Sequence, residues 1–266
     1  MKKAFLWVLT LSLCACTVSP LGRRQFTMLP DSQVAMLGDQ AFVELKQSMP
    51  IESDPRANAY VNCVADAITR EIGGTWEVVL FRQQTPNAFA LPGGKIGVHT
   101  GIFRVARNQD QLAAVLAHEV AHVLARHSNE RMSQQLALRQ GLGAIQAMTQ
   151  PTSPTGQALL GILGLGAQYG VLMPYSRLQE SEADLFGLDL MARAGFDPRQ
   201  SVDLWVNMEQ AGGSQPIEFL STHPSHATRI QDLRQRMPMA LELQRRANAT
   251  GRKPQCDRER KDGGNP

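Results

Sequence analysis

The sequence predicts an α+β fold that is mainly helical, with a small β-sheet beside one central helix. Apolar residues recur at helical spacing in several segments. One run rich in Val and aromatic residues indicates a strand, and another run with a central Pro-Gly-Gly indicates two strands joined by a turn. At 266 residues and 43% hydrophobic content, the chain can bury a sizeable core.

The first half of the chain supplies the sheet. Its predicted elements are two helices, a strand and a strand–turn–strand run: Ser32–Met49, Asp54–Ile72, Trp76–Phe81 and Asn87–Phe103. Gly73 and Gly74 end the second helix, because glycine disfavours its continuation. Pro92, Gly93 and Gly94 supply the turn between the two strands of the later run.

The second half is predicted to be helical. Four helices follow one another: Asn108–Leu138, Ser176–Ala194, Arg199–Gln210 and Ser225–Met237. Residues 141–170 between the first two are rich in Gly, Ala and Leu. Within and just beyond them, Ala158–Met173 is apolar, but its 16 residues are short of the ~20 that span a bilayer. We expect a buried helix or a lid there rather than membrane contact.

Composition and charge exclude several classes of protein. The formal net charge is +3. It would fall to +1 if the N-terminus, which includes Lys2 and Lys3, is removed as a signal peptide. Aromatic residues make up only 6% of the chain. With no basic stripe and few stacking side chains, we expect no nucleic-acid partner. The composition also excludes a collagen and a multi-span membrane protein.

The N-terminus has the pattern of an export signal. A short positive start is followed by the apolar run Ala4–Leu13, so residues 1–15 are predicted to be a signal peptide. The sequence Leu-Cys-Ala-Cys then resembles a bacterial lipobox, in which Cys16 is lipidated, with palmitate among its acyl chains. Cys14 fits less well because Leu13 precedes it, and a plain secreted protein is the other alternative. In such lipoproteins an Asp after the lipidated cysteine usually signals retention in the inner membrane. Because Thr17 is not Asp, we expect, in a host with an outer membrane, an outer-membrane lipoprotein that faces the periplasm.

These patterns divide the chain into four parts. After the signal peptide, residues 16–31 are expected to form a lipidated tether with little pattern, residues 32–240 the folded domain, and residues 241–266 a charged tail. The remaining cysteines, Cys63 and Cys256, are an even pair in an oxidising compartment. We therefore expect a disulfide between them, with two unpaired thiols as the alternative.

His118, Glu119 and His122 form an H-E-x-x-H motif inside a helical segment. Residues four apart share a helix face, so both imidazoles can bind one metal ion. Glu119 lies beside them, where it can hold a water rather than the metal. Zinc suits such ligands, and one zinc ion per chain is expected. The alternative is a helix that carries two histidines by chance.

A third ligand has to come from elsewhere in the chain. Glu180 and Asp184 share one face of a predicted helix, whereas Glu182 points roughly to the opposite side. Glu180 can thus bind the metal, and Asp184 can accept the N–H of a ligand histidine. The alternative is an acidic helix start that is favoured by the helix dipole.

These motifs together resemble a known family of zinc metallopeptidases, which includes the CAAX prenyl endopeptidases and HtpX-type heat-shock proteases. The resemblance rests on H-E-x-x-H at 118–122 and on E-x-x-x-D at 180–184. Two further features resemble the periplasmic lipoprotein branch of this family, which is related to the mitochondrial overlapping-activity protease. They are the run NAFALPGGKIGVHTG at 87–101, and Thr-His-Pro at 222–224 together with Arg229. The resemblance covers about residues 32–237 and implies a gluzincin-like fold.

The resemblance implies roles for several residues. The zinc ligands are His118, His122 and Glu180, with Glu119 as the general base and Asp184 as the residue that orients a ligand. His223 approaches the metal, either as a removable fourth ligand or as a transition-state donor, and Arg229 lies close to the same site.

The hairpin after residue 87 has an expected role in binding. We expect it to present a substrate-binding edge strand, on which a substrate backbone pairs through Asn87, Ala88, Phe89 and Gly94. His127 is about 140° around the helix from His122, so we interpret it as structural, together with His99 and His226.

Three functions are compatible with these patterns. The first is a zinc metalloendopeptidase that degrades misfolded or damaged cell-envelope proteins and is anchored to the membrane by lipid. The second is a latent protease-fold chaperone or assembly factor for outer-membrane proteins. The third, a binding module with a structural zinc, is disfavoured because structural sites are usually Cys-rich and closed.

Overall fold

The computed structural model of the chain describes residues 16–149, 175–212, 218–223 and 228–256. Several predictions fall outside these residues: the signal peptide, the apolar segment Ala158–Met173, His226 and the end of the tail after residue 256. None of the helices in the described ranges combines the length and the apolar character that a membrane span requires.

The α+β class predicted from the sequence is confirmed. The strands are β1 (Cys16–Val18), β2 (Arg24–Phe26), β3 (Glu77–Phe81), β4 (Ala88–Leu91) and β5 (Lys95–His99). The described helices are α1 (Asp31–Ser48), α2 (Pro55–Thr69), α3 (Gln109–Leu124), α4 (His127–Thr149), α5 (Arg177–Arg193), α6 (Gln200–Gly212), α7 (Glu218–Thr222) and α8 (Arg229–Ala249). A 3₁₀ turn, Thr100–Arg104, follows the last strand.

The main sheet has three strands in the order β3–β5–β4. Strand β5 pairs in parallel with β3 and antiparallel with β4, in a register that places Ala88 opposite Val98. The predicted strand–turn–strand run is thus the β4–β5 hairpin. Because β5 takes the centre, β4 lies at an edge of the sheet.

Helix α3 is the centre of the fold. Asn108, where the sequence predicts the helix to start, caps it by accepting a hydrogen bond from the backbone N–H of Gln111 at 2.9 Å. Every side chain from Gln111 to His122 is buried, since the helix packs against both β4 and α5. A helix with an apolar surface all round belongs inside a core, which places its polar motif away from bulk water.

The single long helix predicted over Asn108–Leu138 is wrong. Helix α3 ends at Leu124, and Arg126 adopts a positive φ of 54° before α4 begins at His127. A left-handed residue is a common helix stop, but it is usually Gly or Asn. Because Arg occupies this position, the sequence contains no visible signal for the break.

The segment predicted as a tether is ordered from residue 16. Strands β1 and β2 form a small antiparallel hairpin. Arg23 in its turn binds Glu130 of α4 and Glu182 of α5, with nitrogen–oxygen distances of 2.7 Å to each. Polar contacts with distant residues hold the hairpin, which explains why hydrophobic periodicity did not reveal it.

The last helix is longer than predicted. It contains Pro238, where a stop is expected, yet it continues to Ala249 and crosses the predicted boundary at residue 240. The buried side chains of Ala240 and Ala247 hold its second half on the domain. Beyond it, Cys256 forms a disulfide with Cys63 of α2, the pairing expected from the sequence.

Candidate metal centre

Two buried histidines on one face of α3 begin the site. The Nε2 atoms of His118 and His122 lie 3.1 Å apart. Both side chains are almost fully buried because α3 is covered on all sides. The i, i+4 spacing of the motif therefore gives two converging imidazoles, as the sequence predicts.

Two further candidate ligands come from α5 and from the residue after α7. Glu180 lies in the first turn of α5, which a capping box of Ser176 and Gln179 fixes at its start. His223 directly follows α7, and its Nδ1 lies 3.1 Å from Oε1 of Glu180. One ligand atom from each of the four side chains lies within 4.8 Å of the others.

The donor set fits a zinc ion. Ligand atoms about 2.0–2.1 Å from a tetrahedral zinc are about 3.3–3.4 Å apart. The Nε2 atom of His122 lies 3.1 Å from His118 Nε2 and 3.4 Å from Glu180 Oε1. His223 Nδ1 lies 3.3 Å from His118 Nε2 and 3.1 Å from the same Glu180 oxygen, so these separations lie close to the tetrahedral value. Three imidazoles and one carboxylate are therefore spaced as ligands of a single zinc.

Glu180 is held as an anion. Burial alone would raise the pKa of its carboxyl, but hydrogen bonds to His118, His122 and His223 hold the pKa far below its usual range. Arg229 adds a charge-assisted hydrogen bond from Nη2 to Oε2 of Glu180 at 2.5 Å. A permanently ionised carboxylate is the state that a metal ligand requires.

Glu119 lies beside the ligand group without joining it. Its Oε1 is 3.4 Å from Nε2 of His223, and its carboxylate accepts a hydrogen bond from the backbone N–H of Ala90 in β4. Burial raises the pKa of Glu119, although the imidazoles of His223 and His118 act in the opposite direction. Such a carboxylate is suited to take up and release a proton.

Asp184 and Arg229 support the first ligand histidine. One turn after Glu180, Asp184 places Oδ1 at 3.0 Å from Nδ1 of His118. Arg229 binds both carboxylates, and its guanidinium stacks 3.7 Å from the ring of Trp205. The structure thus brings Asp184 and Arg229 to the positions that the family resemblance implies, with Arg229 only 1% exposed.

Sequence comparison places these motifs in a family. The model of peptidase family M48 matches residues 51–237, which is most of the chain and includes all four candidate ligands. The chain belongs to peptidase family M48.

Individual M48 relatives are similar over long stretches. The mitochondrial metalloendopeptidase OMA1 of Schizosaccharomyces pombe is 41% identical over 167 residues, which are 62% of this chain and 48% of the relative. OMA1 of Saccharomyces cerevisiae is 32% identical over 91% of this chain and 68% of its own. The beta-barrel assembly-enhancing protease of Escherichia coli K12 is 32% identical over 84% of this chain and 47% of its own. The chain thus spans about half to two thirds of the length of these relatives.

His127 contributes to this M48 site in a way that the sequence interpretation missed. The reversal at Arg126 brings His127 back onto α3, so its Nδ1 lies 2.9 Å from Nδ1 of His122. Its Nε2 lies 3.1 Å from Oε2 of Glu182. The angle of 140° assumed a continuous helix, and the break invalidates it. Glu182 stays away from the ligand atoms, as expected, but it is buried rather than solvated.

Aromatic side chains enclose the M48 site, and sequence reasoning missed them as well. Tyr175 stacks on His122 with ring centres 3.9 Å apart, and Phe219 stacks on His223 at 4.6 Å. Burial raises the pKa of the Tyr175 hydroxyl, which stays protonated and lies 3.3 Å from Ser128. Tyr175 directly precedes the helix cap Ser176 and belongs to no periodic pattern, so the sequence did not indicate its place in the site.

The predicted substrate-binding residues lie in strand β4, just before it and in the β4–β5 turn. Ala88 and Phe89 lie in edge strand β4, which runs beside Glu119. Asn87 precedes the strand, and its carbonyl accepts a hydrogen bond from the N–H of His99 at 3.0 Å. Gly94 lies in the hairpin turn, where a positive φ of 73° and the close carbonyl oxygen of Thr75 account for a glycine.

Proposed function

We propose that this chain is a zinc metalloendopeptidase. The observation that carries the proposal is the position of Glu119, a buried carboxylate that lies against a zinc-binding group and hydrogen-bonds to an edge strand. A peptide that pairs with β4 would therefore have its backbone next to the candidate general base.

Each residue has a defined task in peptide hydrolysis. Zinc bound by His118, His122 and Glu180 would polarise the scissile carbonyl and lower the pKa of a water to about 7. Glu119 takes the proton from the attacking water and delivers it to the amine nitrogen that leaves. Asp184 places Oδ1 3.0 Å from Nδ1 of His118, and a carboxylate on that side of the ring favours the tautomer that binds through Nε2.

We propose that occupation of the fourth ligand position regulates the peptidase activity. His223 supplies a fourth protein ligand, and a site with four protein ligands has the closed arrangement of structural zinc. A catalytic site needs that position for water or substrate. We therefore assign this arrangement to a latent state, from which His223 has to withdraw before hydrolysis.

We propose envelope proteins in a misfolded or damaged state as the substrates. The export signal and the lipobox at Cys16 support an outer-membrane anchor that faces the periplasm, where such proteins occur. One of the relatives is a beta-barrel assembly-enhancing protease, and its similarity over 84% of this chain supports a role with envelope proteins.

Proteolysis of an unfolded protein tests the activity. Purified chain should cleave casein, a chelator should abolish cleavage, and added zinc should restore it. Glu119→Gln should keep zinc and the fold but lose about 10²–10⁴-fold in rate, because an amide cannot accept the proton. The exposed Glu209→Gln is the matched control. Full turnover by zinc-loaded Glu119→Gln would remove Glu119 from the role of base.

A latent chaperone or assembly factor is the second candidate, and the four-ligand arrangement favours it. A deletion strain complemented with wild type or with Glu119→Gln separates the two functions. Equal rescue of the envelope proteome by both supports the chaperone, whereas rescue by the wild type alone supports the protease. Labelling with radioactive palmitate tests the lipid anchor, and label that persists in Cys16→Ala would assign the anchor to Cys14 or to another residue.

A further inference from the structure

The ligand His122 is connected to the N-terminal hairpin by a continuous chain of polar contacts. Its Nδ1, on the side of the ring away from the ligand atoms, lies 2.9 Å from Nδ1 of His127. Nε2 of His127 lies 3.1 Å from Oε2 of Glu182. The same Glu182 oxygen accepts a hydrogen bond from Nε of Arg23 at 2.7 Å.

The positions of the protons in this chain follow from the ligand role of His122. A neutral imidazole that binds metal through Nε2 carries its proton on Nδ1. His122 therefore donates to Nδ1 of His127, which must be an acceptor. The proton of neutral His127 is then on Nε2, from which it is donated to the Glu182 carboxylate. Each contact has one donor and one acceptor.

We propose that His127 is a positioning residue for the metal ligand His122, and that Arg23 of the N-terminal hairpin holds it in place through Glu182. Groups that accept the second N–H of a ligand histidine fix its tautomer and the orientation of its ring. His127 is fully buried and Glu182 is 5% exposed, so little water competes for these contacts.

Arg23 also joins the two helices on which His127 and Glu182 lie. Its Nη1 and Nη2 donate to the two carboxylate oxygens of Glu130 at 2.8 and 2.7 Å. Gln179 of α5 donates to the same Glu130 at 2.8 Å. One guanidinium thus joins α4, which carries His127, to α5, which carries Glu182. A bidentate pair of this kind sets geometry as well as adding energy.

The other ligand histidine has an analogous support, which strengthens the inference. His118 contacts the carboxylate of Asp184, and Asp184 accepts a hydrogen bond from Arg229. In both cases an imidazole leads to a carboxylate, and the carboxylate is held by an arginine. The difference is that His122 reaches its carboxylate through a second imidazole and that its arginine comes from the N-terminal hairpin.

Zinc affinity tests the proposal without depending on activity. Competition with a chromophoric chelator measures the affinity in Arg23→Gln and in the control Arg236→Gln. Both substitutions remove an arginine that binds a carboxylate of α5, at side-chain exposures of 23% and 30%, but the partner of Arg236 is Asp189, outside the chain of contacts. We expect Arg23→Gln to weaken zinc binding about 10–100-fold and Arg236→Gln to leave it unchanged.

The two interior members are tested in the same way. His127→Leu should also lose about 10–100-fold in zinc affinity. Glu182→Gln, which keeps an oxygen acceptor for His127, should retain more affinity than Glu182→Leu. Circular dichroism checks that each variant folds. If a variant at His127 or Glu182 does not fold, Arg23→Gln still tests the chain of polar contacts. The proposal is overturned if Arg23→Gln, or folded His127→Leu, binds zinc as tightly as the control Arg236→Gln. It is also overturned if folded Glu182→Gln and folded Glu182→Leu lose equal amounts of zinc affinity.

Discussion

The backbone of Gly187 in α5 packs directly against the backbone of His118 in α3. A Cβ atom at residue 187 would lie 2.9 Å from the amide nitrogen of His118 and 3.0 Å from the carbonyl carbon of Ala117. The helix with the ligand Glu180 therefore crosses the H-E-x-x-H helix at a separation that requires glycine.

Replacing this glycine should damage the metal centre. Alanine at residue 187 should push α5 from α3, which separates Glu180 and Asp184 from His118. Helix propensity alone favours Ala over Gly by about 1 kcal/mol, whereas overpacking costs about 1–3 kcal/mol. We expect Gly187→Ala to lower both the free energy of unfolding and zinc affinity, as measured by urea unfolding and chelator competition. A stabilised variant with normal zinc affinity would contradict the close crossing.

The third ligand is tested by metal content. Glu180→Ala should lose most of its zinc after dialysis, because one charged ligand disappears and Arg229 is left facing the imidazoles. The exposed Glu209→Ala on α6 should keep one zinc per chain. Elemental analysis of both proteins decides the assignment. A full complement of zinc in Glu180→Ala would exclude Glu180 as a required ligand.

The disulfide between Cys63 and Cys256 should contribute to stability. It links α2 to the segment after α8 and closes a loop with a sequence separation of 193. Losing a native disulfide typically costs about 2–5 kcal/mol, so the double variant Cys63→Ser/Cys256→Ser should unfold at lower urea concentration. Reductant should shift the wild type in the same direction and leave the double variant unchanged. Free thiols at both positions in protein purified without reductant would rule out the bridge.

Local patterns in the sequence were sufficient for much of the fold and for part of the site. The helix starts at Asn108 and Ser176, the Pro-Gly-Gly turn between β4 and β5, and the spacing of His118 and His122 each depend on neighbours in the chain. Such features follow from the helical period and from local start and turn residues. The placement of Glu180 and Asp184 on one face follows from the same rule.

The remaining features depend on contacts that no local period encodes. Arg23 and Glu182 are 159 residues apart in the chain, yet they form one ion pair. The position of His127 depends on the reversal at Arg126, which is neither Gly nor Asn. Helix α8 passes Pro238 because buried alanines beyond it pack on the domain, so tertiary packing overrides a local stop signal.

The last prediction concerns His223, whose two ring nitrogens face different partners. Nδ1 lies among the ligand atoms, 3.3 Å from Nε2 of His118, and Nε2 lies 3.4 Å from Glu119. The ring of Phe219 stacks on it, and the carbonyl of Phe219 accepts the backbone N–H of His223 at 2.9 Å. This packing holds the imidazole in the fourth ligand position.

If His223 is a ligand of the latent state, His223→Ala opens that position while three ligands retain the zinc. We then expect zinc-loaded His223→Ala to cleave unfolded casein faster than the wild type does. If His223 instead stabilises the oxyanion, the same variant should lose about 10²–10³-fold in kcat. We expect the first outcome because Nδ1 lies 3.3 Å from Nε2 of His118 and 3.1 Å from Oε1 of Glu180, among the ligand atoms. An unchanged rate at equal zinc content would exclude both roles.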